Sequence, residues 1–216
     1  MDWGSAVRGV LAAYVAIDAF KKAADGRRRR RRLGDAEEND DRRGPRSKFH
    51  NVHNIDQRVA HIVRLAQKGR TDPMVVQLAR QTVSQRCGKS WCTPERNHGA
   101  EVAAVFGEVK RRVRYVSDAW GVDQFSSARR TLFDAHAGDC DDFSVALSSM
   151  LGAIGYRTRL RVIRTTDSPE WNHIYNLVEL PRGSNKWIPL DGSVNEPPGW
   201  EAPRSQIAAK RDYEVP

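Results

Sequence analysis

Three side chains with complementary chemistry follow one another in the second half of the chain: Cys140, His173 and Asp191. Cys140 lies in the stretch GDCDDFSVAL, where the sequence predicts the start of a helix. The unpaired N–H groups and the dipole at a helix N-terminus favour an anion, so a thiol at this position is a candidate nucleophile. A metal ligand and an inert core residue are the alternatives, because cysteine also packs as a small hydrophobe.

Three aspartates adjoin Cys140, at positions 139, 141 and 142. Their charge opposes ionisation of the thiol, but an imidazolium in contact with the sulfur outweighs carboxylates that point along other faces of the helix. Carboxylates at the cap and in the first turn also stabilise a helix, which gives these aspartates a structural role. The acidic surroundings are therefore compatible with a thiolate, provided that His173 reaches Cys140.

The spacing between His173 and Asp191 predicts that the two side chains lie on one face of a β-hairpin. If PRGSN, residues 181–185, forms the loop, His173 faces position 193 and Asp191 is its diagonal neighbour. An aspartate that accepts a hydrogen bond from one imidazole nitrogen fixes the tautomer and leaves the other nitrogen as a base. A shift of one residue, or a bulge at Pro189, would move Asp191 to the other face.

The elements that must position these residues predict an α+β fold. The helical segments carry apolar residues every three or four positions, and the strand segments alternate apolar and polar residues. Helices are expected over residues 55–69, from 72 onwards, over 98–112 and from 140 to 154, and strands over 157–164, 172–180 and 186–191. Arginines at alternate positions from 157 to 161 predict a solvated strand face. The order is a helical first half, a central helix that carries Cys140, and then an antiparallel sheet.

The first 48 residues differ in composition from the rest of the 216-residue chain. They hold 13 Lys and Arg against 8 Asp and Glu, and so contribute +5 to the formal net charge of +9. Apolar residues within 7–20 predict an amphipathic helix that falls short of the roughly 20 residues of a membrane span. The run Arg27–Arg32 and the polar sequence after it predict a disordered linker; binding to nucleic acid, an anionic surface or a virion assembly partner is the alternative. We therefore expect an N-terminal extension, 1–48, and one domain, 49–216.

Cys87 and Cys92 are expected to be ordinary loop thiols. A disulfide between them is one alternative, and a metal site that includes His98 is another, although only one obvious further ligand follows the two cysteines. An odd number of cysteines in a chain of this length favours a reducing compartment. We therefore expect a cytoplasmic or virion-associated protein with neither a metal ion nor another cofactor.

Three segments together resemble the transglutaminase-like superfamily: GDCDDFSVALSSMLGAIGYRTRLRVI, WNHIYNLVEL and KWIPLDGS. The resemblance covers about residues 55–195 and is to the small bacterial and phage-encoded members. It implies a papain-like core, with a cysteine at the start of a central helix and histidine and aspartate on adjacent strands. By position, Cys140 would be the nucleophile, His173 the base and Asp191 the acid that orients the base.

The resemblance also implies a donor that stabilises the oxyanion upstream of the nucleophile. Gln124 is the best match and Trp120 the alternative, with the backbone N–H of Cys140 as the second donor. The implied activity is acyl transfer on peptide or glutamine-type amides: a cysteine protease or amidase if water accepts the acyl group, a transglutaminase if an amine does. Water is favoured because the first half of the chain shows no acidic pocket for an amine. The alternative is a non-enzymatic phage virion or assembly protein that uses the fold as a scaffold.

Overall fold

Helices dominate the first half of the chain that the structure describes, as the sequence predicts. The computed structural model describes residues 54–118 and 124–216. Within these residues the α-helices are α1 (Ile55–Gly69), α2 (Pro73–Val83), α3 (His98–Arg112) and α4 (Cys140–Ala153). None of these described helices is long and apolar enough to cross a membrane. The extension expected over residues 1–48 lies outside the described residues, and so does Trp120.

Each helix begins where the sequence places a capping side chain. Asn54 caps α1, Asn97 caps α3 and Asp139 caps α4, each through its side-chain oxygen. Asp72 caps α2, whose first residue is Pro73, in agreement with the helix expected from residue 72 onwards. The predicted bounds of α1 and α3 are confirmed as well, because capping and apolar spacing are both local signals.

The second half of the described chain supplies the main sheet. In chain order the strands are β1 (Arg86–Cys87), β2 (Ser90–Trp91), β3 (Arg114–Tyr115), β4 (Ala137–Gly138), β5 (Thr158–Thr165), β6 (His173–Glu179), β7 (Trp187–Leu190) and β8 (Ile207–Val215). β1 and β2 form a hairpin, β3 and β4 a parallel pair, and the remaining strands an antiparallel sheet in the order β7, β6, β5, β8. A π-helical segment spans Arg130–Ala135, and a short 3₁₀ helix spans Arg204–Gln206. The expected α+β class is confirmed.

The hairpin of β6 and β7 has the register that a PRGSN loop predicts. Asn176 pairs with Leu190, and the pairing passes through Pro189 without a bulge. Because side chains alternate across a strand, this register puts His173 and Asp191 on one face.

The central helix α4 lies between the sheet and the other helices, and residues 141–151 are all buried. Apolar side chains from α1, α2, α3 and the inner face of the sheet pack around it. Polar contacts fix its position: Asn176 Nδ2 on β6 donates to Ser148 Oγ at 2.6 Å, and Ser149 Oγ donates to the Ala66 carbonyl at 3.2 Å. These contacts hold the second half of α4 against β6 and against α1.

The sequence pattern does not predict β8, which pairs with β5 along its length. Arg159 Nε donates to Glu214 Oε1 at 2.6 Å, and Arg161 Nε donates to Asp212 Oδ1 at 2.7 Å. The strand predicted at β5 is present, but its arginine face is covered by cross-strand ion pairs and is not simply solvated.

Cys87 and Cys92 form a disulfide, so the prediction of two ordinary loop thiols is wrong. The turn between β1 and β2 brings their Cα atoms to 4.9 Å, a separation that a disulfide can bridge. The bond consumes both thiols and thereby removes the metal site considered with His98. Cys140, the third cysteine, is not part of a disulfide.

Candidate active site

Cys140 is the first residue of α4, directly after the short parallel pair of β3 and β4. The Asp139 side chain caps the helix by accepting from the Asp141 backbone N–H at 3.0 Å. Cys140 is half-buried, and the backbone of Ile174 hydrogen-bonds its sulfur. Ile174 follows His173 on β6, so the sulfur lies next to the strand position that carries the imidazole.

The pKa of the Cys140 thiol is raised well above its ordinary value. Burial is the largest cause, followed by the negative charges of Asp141 and Asp139, while Asp191 raises the pKa to a smaller extent. The hydrogen bond from Ile174 acts in the opposite direction. The direction is opposite to the one that the helix N-terminus predicts, because burial and nearby carboxylates disfavour the thiolate. The resting sulfur is a neutral thiol.

His173 and Asp191 form a close pair, with His173 Nε2 at 2.5 Å from Asp191 Oδ2. Their side chains are only 10% and 5% exposed. Burial alone would raise the pKa of Asp191, but the charge of His173 and hydrogen bonds from His173 and Ser193 outweigh it, and the pKa is lowered. An ionised Asp191 accepts from Nε2, so Nδ1 is the imidazole nitrogen that can act as a base.

The residues after Asp191, in the sequence DGS, hold its carboxylate in place. Ser193 donates to Asp191 Oδ1 from its Oγ at 2.6 Å and from its backbone N–H at 3.1 Å. Gly192 passes so close to α4 that a Cβ atom there would lie 2.8 Å from Phe143 Cδ1. One carboxylate oxygen is thus directed at His173 while the other is satisfied within the loop.

Lys110 supports the pair from another element, and Tyr175 supports it from the same strand as His173. Lys110 Nζ on α3 donates to the carbonyl of Val194, in the loop that follows Asp191. The Tyr175 ring lies 5.7 Å from the His173 ring, centroid to centroid, on the same face of β6. Both contacts restrict the movement of the proposed base and its acid.

Sequence reasoning misses these supporting residues. A signal exists for Ser193, because a serine two positions after an aspartate is typical of a turn in which the carboxylate accepts from the backbone. A signal also exists for Tyr175, because residues two positions apart share a strand face. Lys110 has no local signal, since its contact spans 84 residues along the chain.

Three carboxylates, those of Asp118, Asp139 and Asp142, surround the start of α4. Asp142 Oδ1 accepts from the Ser126 backbone N–H at 2.8 Å. Burial, followed by the charges of acidic neighbours, raises the pKa of Asp142 to about 7 and that of Asp139 to about 6. Within residues 54–118 and 124–216, no group of three or more histidine, cysteine, aspartate or glutamate residues is arranged to hold a metal ion.

Gln124, the predicted oxyanion donor, is exposed. Its backbone N–H donates to Asp118 Oδ2 at 2.6 Å, which ties this segment to the carboxylates around the start of α4. The role of its side-chain amide stays a prediction. The backbone N–H of Cys140, at the first position of α4, is one of the helix N-terminal donors that have no acceptor within the helix.

A protein family model matches the segment that builds this site. Residues 76–192, from α2 to the residue after Asp191, match the model described as the transglutaminase-like superfamily. The match covers more than half of the chain, and the protein belongs to the transglutaminase-like superfamily. The resemblance seen in the sequence is thereby confirmed. No curated protein matches the chain at a significant level.

Three solved structures align with parts of the chain at low identity. A candidate cysteine protease from Cytophaga hutchinsonii has 15% identity and a TM-score of 0.46, over 77% of this chain and 49% of that one. LapG from Legionella pneumophila has 15% identity and a TM-score of 0.46, over 73% of this chain and 87% of that one. A protein described as a TGase has 16% identity and a TM-score of 0.39, over 72% of this chain and 37% of that one. This chain aligns with about half the length of the Cytophaga protein.

Proposed function

We propose that the protein is a thiol-dependent enzyme that transfers acyl groups from peptide or glutamine-type amides through Cys140, His173 and Asp191. The observation that carries the proposal is the 2.5 Å pair of His173 and Asp191 beside the first residue of the central helix. Membership of the transglutaminase-like superfamily supports thiol-dependent chemistry. Gln124 and the backbone N–H of Cys140 are the proposed donors to the oxyanion.

In the first half-reaction, the Cys140 sulfur attacks the amide carbonyl carbon while His173 Nδ1 takes the thiol proton. Collapse of the tetrahedral intermediate breaks the C–N bond, and the leaving amine takes that proton from His173. Asp191 keeps the imidazole in the required tautomer and stabilises the imidazolium that forms. In the second half-reaction, His173 takes a proton from the acceptor as it attacks the thioester, and then returns a proton to the sulfur as the acyl group leaves.

The raised pKa of Cys140 determines how the reaction starts. Because the thiolate is the nucleophile and the resting sulfur is neutral, proton transfer to His173 must accompany or directly precede attack. The proposed enzyme therefore depends on its base more strongly than one that rests as a thiolate.

The acceptor divides the proposal into two forms. Water gives a cysteine protease or amidase, and an amine gives a transglutaminase. The sequence of the first half shows no acidic pocket for an amine and so favours water, but carboxylates surround the start of α4 and give less reason to prefer water. The chemistry up to the thioester is common to both forms, so acyl transfer is the function that the site supports best.

Alkylation by iodoacetamide tests the proposal on a single thiol, because the other two cysteines are bonded to each other. We expect His173→Ala to lower the rate at neutral pH by about tenfold or more, as a thiol pKa raised by one unit or more would do. His98→Gln is the control, since His98 lies on α3 and packs against Tyr156. It should leave the rate unchanged.

Equal alkylation rates in the wild type and in His173→Ala would contradict the proposal. That result would favour the alternative of a non-enzymatic scaffold, such as a virion or assembly protein. No contact among the described residues supports that alternative. Binding of nucleic acid or an anionic surface through Arg27–Arg32 concerns a segment outside the described residues, and it stays a prediction.

A further inference from the structure

Negative charge converges on the Cys140 sulfur from several elements. Asp139, the N-cap of α4, and Asp141, in its first turn, flank Cys140 in sequence, and Asp191 approaches it from the loop after β7. The ionisable groups around the site are Asp118, Asp139, Asp141, Asp142, His173 and Asp191, and the cation Lys110 lies close to Asp191. A thiolate that forms during catalysis must do so among these carboxylates.

Arg58, in the first turn of α1, brings a positive charge to this group. Its Nη2 lies 3.6 Å from Asp141 Oδ2, with side chains 29% and 10% exposed, respectively. The guanidinium carbon lies 5.9 Å from the centre of the Phe125 ring, and Phe125 packs in turn against His61. The pair is therefore largely shielded from water, where screening by salt is weaker than at an open surface.

We propose that Arg58 is an electrostatic positioning residue, which offsets Asp141 and Asp139 so that Cys140 can ionise when His173 takes its proton. The inference rests on the proposed thiol chemistry of Cys140. Its basis is geometric, because Arg58 pairs with the carboxylate next in sequence to the nucleophile.

The sign of the effect follows from the charges. Asp141 and Asp139 raise the pKa of Cys140, and the charge of Arg58 lowers the pKa of Asp139. A cation that offsets these carboxylates favours the thiolate, so its removal makes the thiol harder to ionise. Asp139 caps α4 through its side chain, and Arg58 offsets the negative charge that Asp139 and Asp141 place beside the nucleophile.

The test is the rate of Cys140 alkylation by iodoacetamide as a function of pH in Arg58→Gln. We expect the midpoint of the profile to move to higher pH and the rate at neutral pH to fall about three- to tenfold, which corresponds to roughly half to one pKa unit. Arg58→Lys keeps the charge and should restore most of the rate. Lys68→Gln removes a charge from the exposed far end of the same helix, about 15 Å along its axis, and should leave the midpoint unchanged.

A double-mutant cycle with Asp141→Asn identifies the route of the effect. Asp141→Asn alone should increase the rate at neutral pH, because it removes a carboxylate beside the thiol. In that background Arg58→Gln should have a clearly smaller effect than in the wild type. An unchanged midpoint in Arg58→Gln, or an equal effect in both backgrounds, would overturn the inference.

The two proposals fail in different ways. If His173→Ala slows alkylation and Arg58→Gln does not, the proposed function stands and the role of Arg58 is rejected. If neither variant changes the rate, both proposals are rejected. Thermal unfolding of each variant, measured at the assay pH, ensures that the compared rates refer to folded protein.

Discussion

At the residue scale, the site depends on how burial and charge change the ionisation of a few side chains. Burial raises the pKa of the Cys140 thiol, whereas the partners of Asp191 keep it ionised although it is buried. The pKa of Asp142 is raised to about 7, because its carboxyl group is buried and its neighbours are also acidic. Residue type alone does not determine what these groups do, since each depends on the groups packed around it.

Asp142→Asn tests the consequence of one of these shifts for stability. Burial and acidic neighbours raise the pKa of Asp142 from 3.8 to about 7, so the folded protein binds this proton more tightly than the unfolded chain. The contribution of Asp142 to the unfolding free energy therefore decreases as pH rises from about 4 to 7. Asparagine keeps the acceptor for the Ser126 N–H without titrating, and the variant should be more stable than the wild type at about pH 8 by roughly 2 to 4 kcal/mol.

Urea unfolding of both proteins at several pH values checks this expectation. Asp191 and Glu201 have lowered pKa values, so their contribution to the free energy of unfolding is lost as pH falls through the acidic range. This loss should be the same in the wild type and in Asp142→Asn. The free energy of unfolding of the wild type should fall more steeply between about pH 4 and 8 than that of Asp142→Asn. An equally steep fall in both proteins would contradict the assignment to Asp142.

At the element scale, α1 approaches α4 closely near the C-terminal end of the central helix. Gly69, the last residue of α1, lies where a Cβ atom would be 2.1 Å from Ser149 Oγ and 2.9 Å from the Cβ atom of Ala128. The absence of a side chain at Gly69 therefore lets α1 pack directly on the buried face of α4.

Gly69→Ala should destabilise the protein by about 1 to 3 kcal/mol, because the added methyl group forces the two helices apart. Gly107→Ala is the matched control: Gly107 is exposed on α3, and a Cβ atom there meets nothing within 4 Å. The control should stabilise the protein by about 0.5 to 1 kcal/mol, since alanine favours a helix interior. Denaturant unfolding measures the change in the free energy of unfolding of each variant relative to the wild type. A change of the same sign in both variants would contradict the proposed close packing at Gly69.

The elements that local signals define could be predicted from the sequence. Asp72 and Pro73 define the start of α2, and the PRGSN loop defines the register that puts His173 and Asp191 on one face. β8 could not be predicted, because the segment 207–215 becomes a strand through its pairing with β5. The same holds for tertiary contacts such as that of Lys110, which depend on packing between distant segments.

At the scale of the whole molecule, the disulfide changes the argument about cellular location. The odd number of cysteines suggested a reducing compartment, but Cys87 and Cys92 are bonded, and such bonds persist in oxidising compartments. A cytoplasmic or virion-associated location stays a prediction that no longer has support from the cysteine count. The disulfide also leaves Cys140 as the one cysteine of the chain that retains a thiol.

Mass spectrometry of the protein after reaction with candidate acyl-donor peptides and an acid quench tests the central claim most directly. The account predicts an acyl adduct on Cys140 in the wild type and a far smaller amount in His173→Ala, because a neutral thiol needs its base. A parallel reaction with a primary amine separates the two acceptors, since a transglutaminase joins the amine to the acyl group. Peptide cleavage or transamidation that proceeds at the wild-type rate in Cys140→Ser, with no adduct on Cys140 in the wild type, would contradict the account.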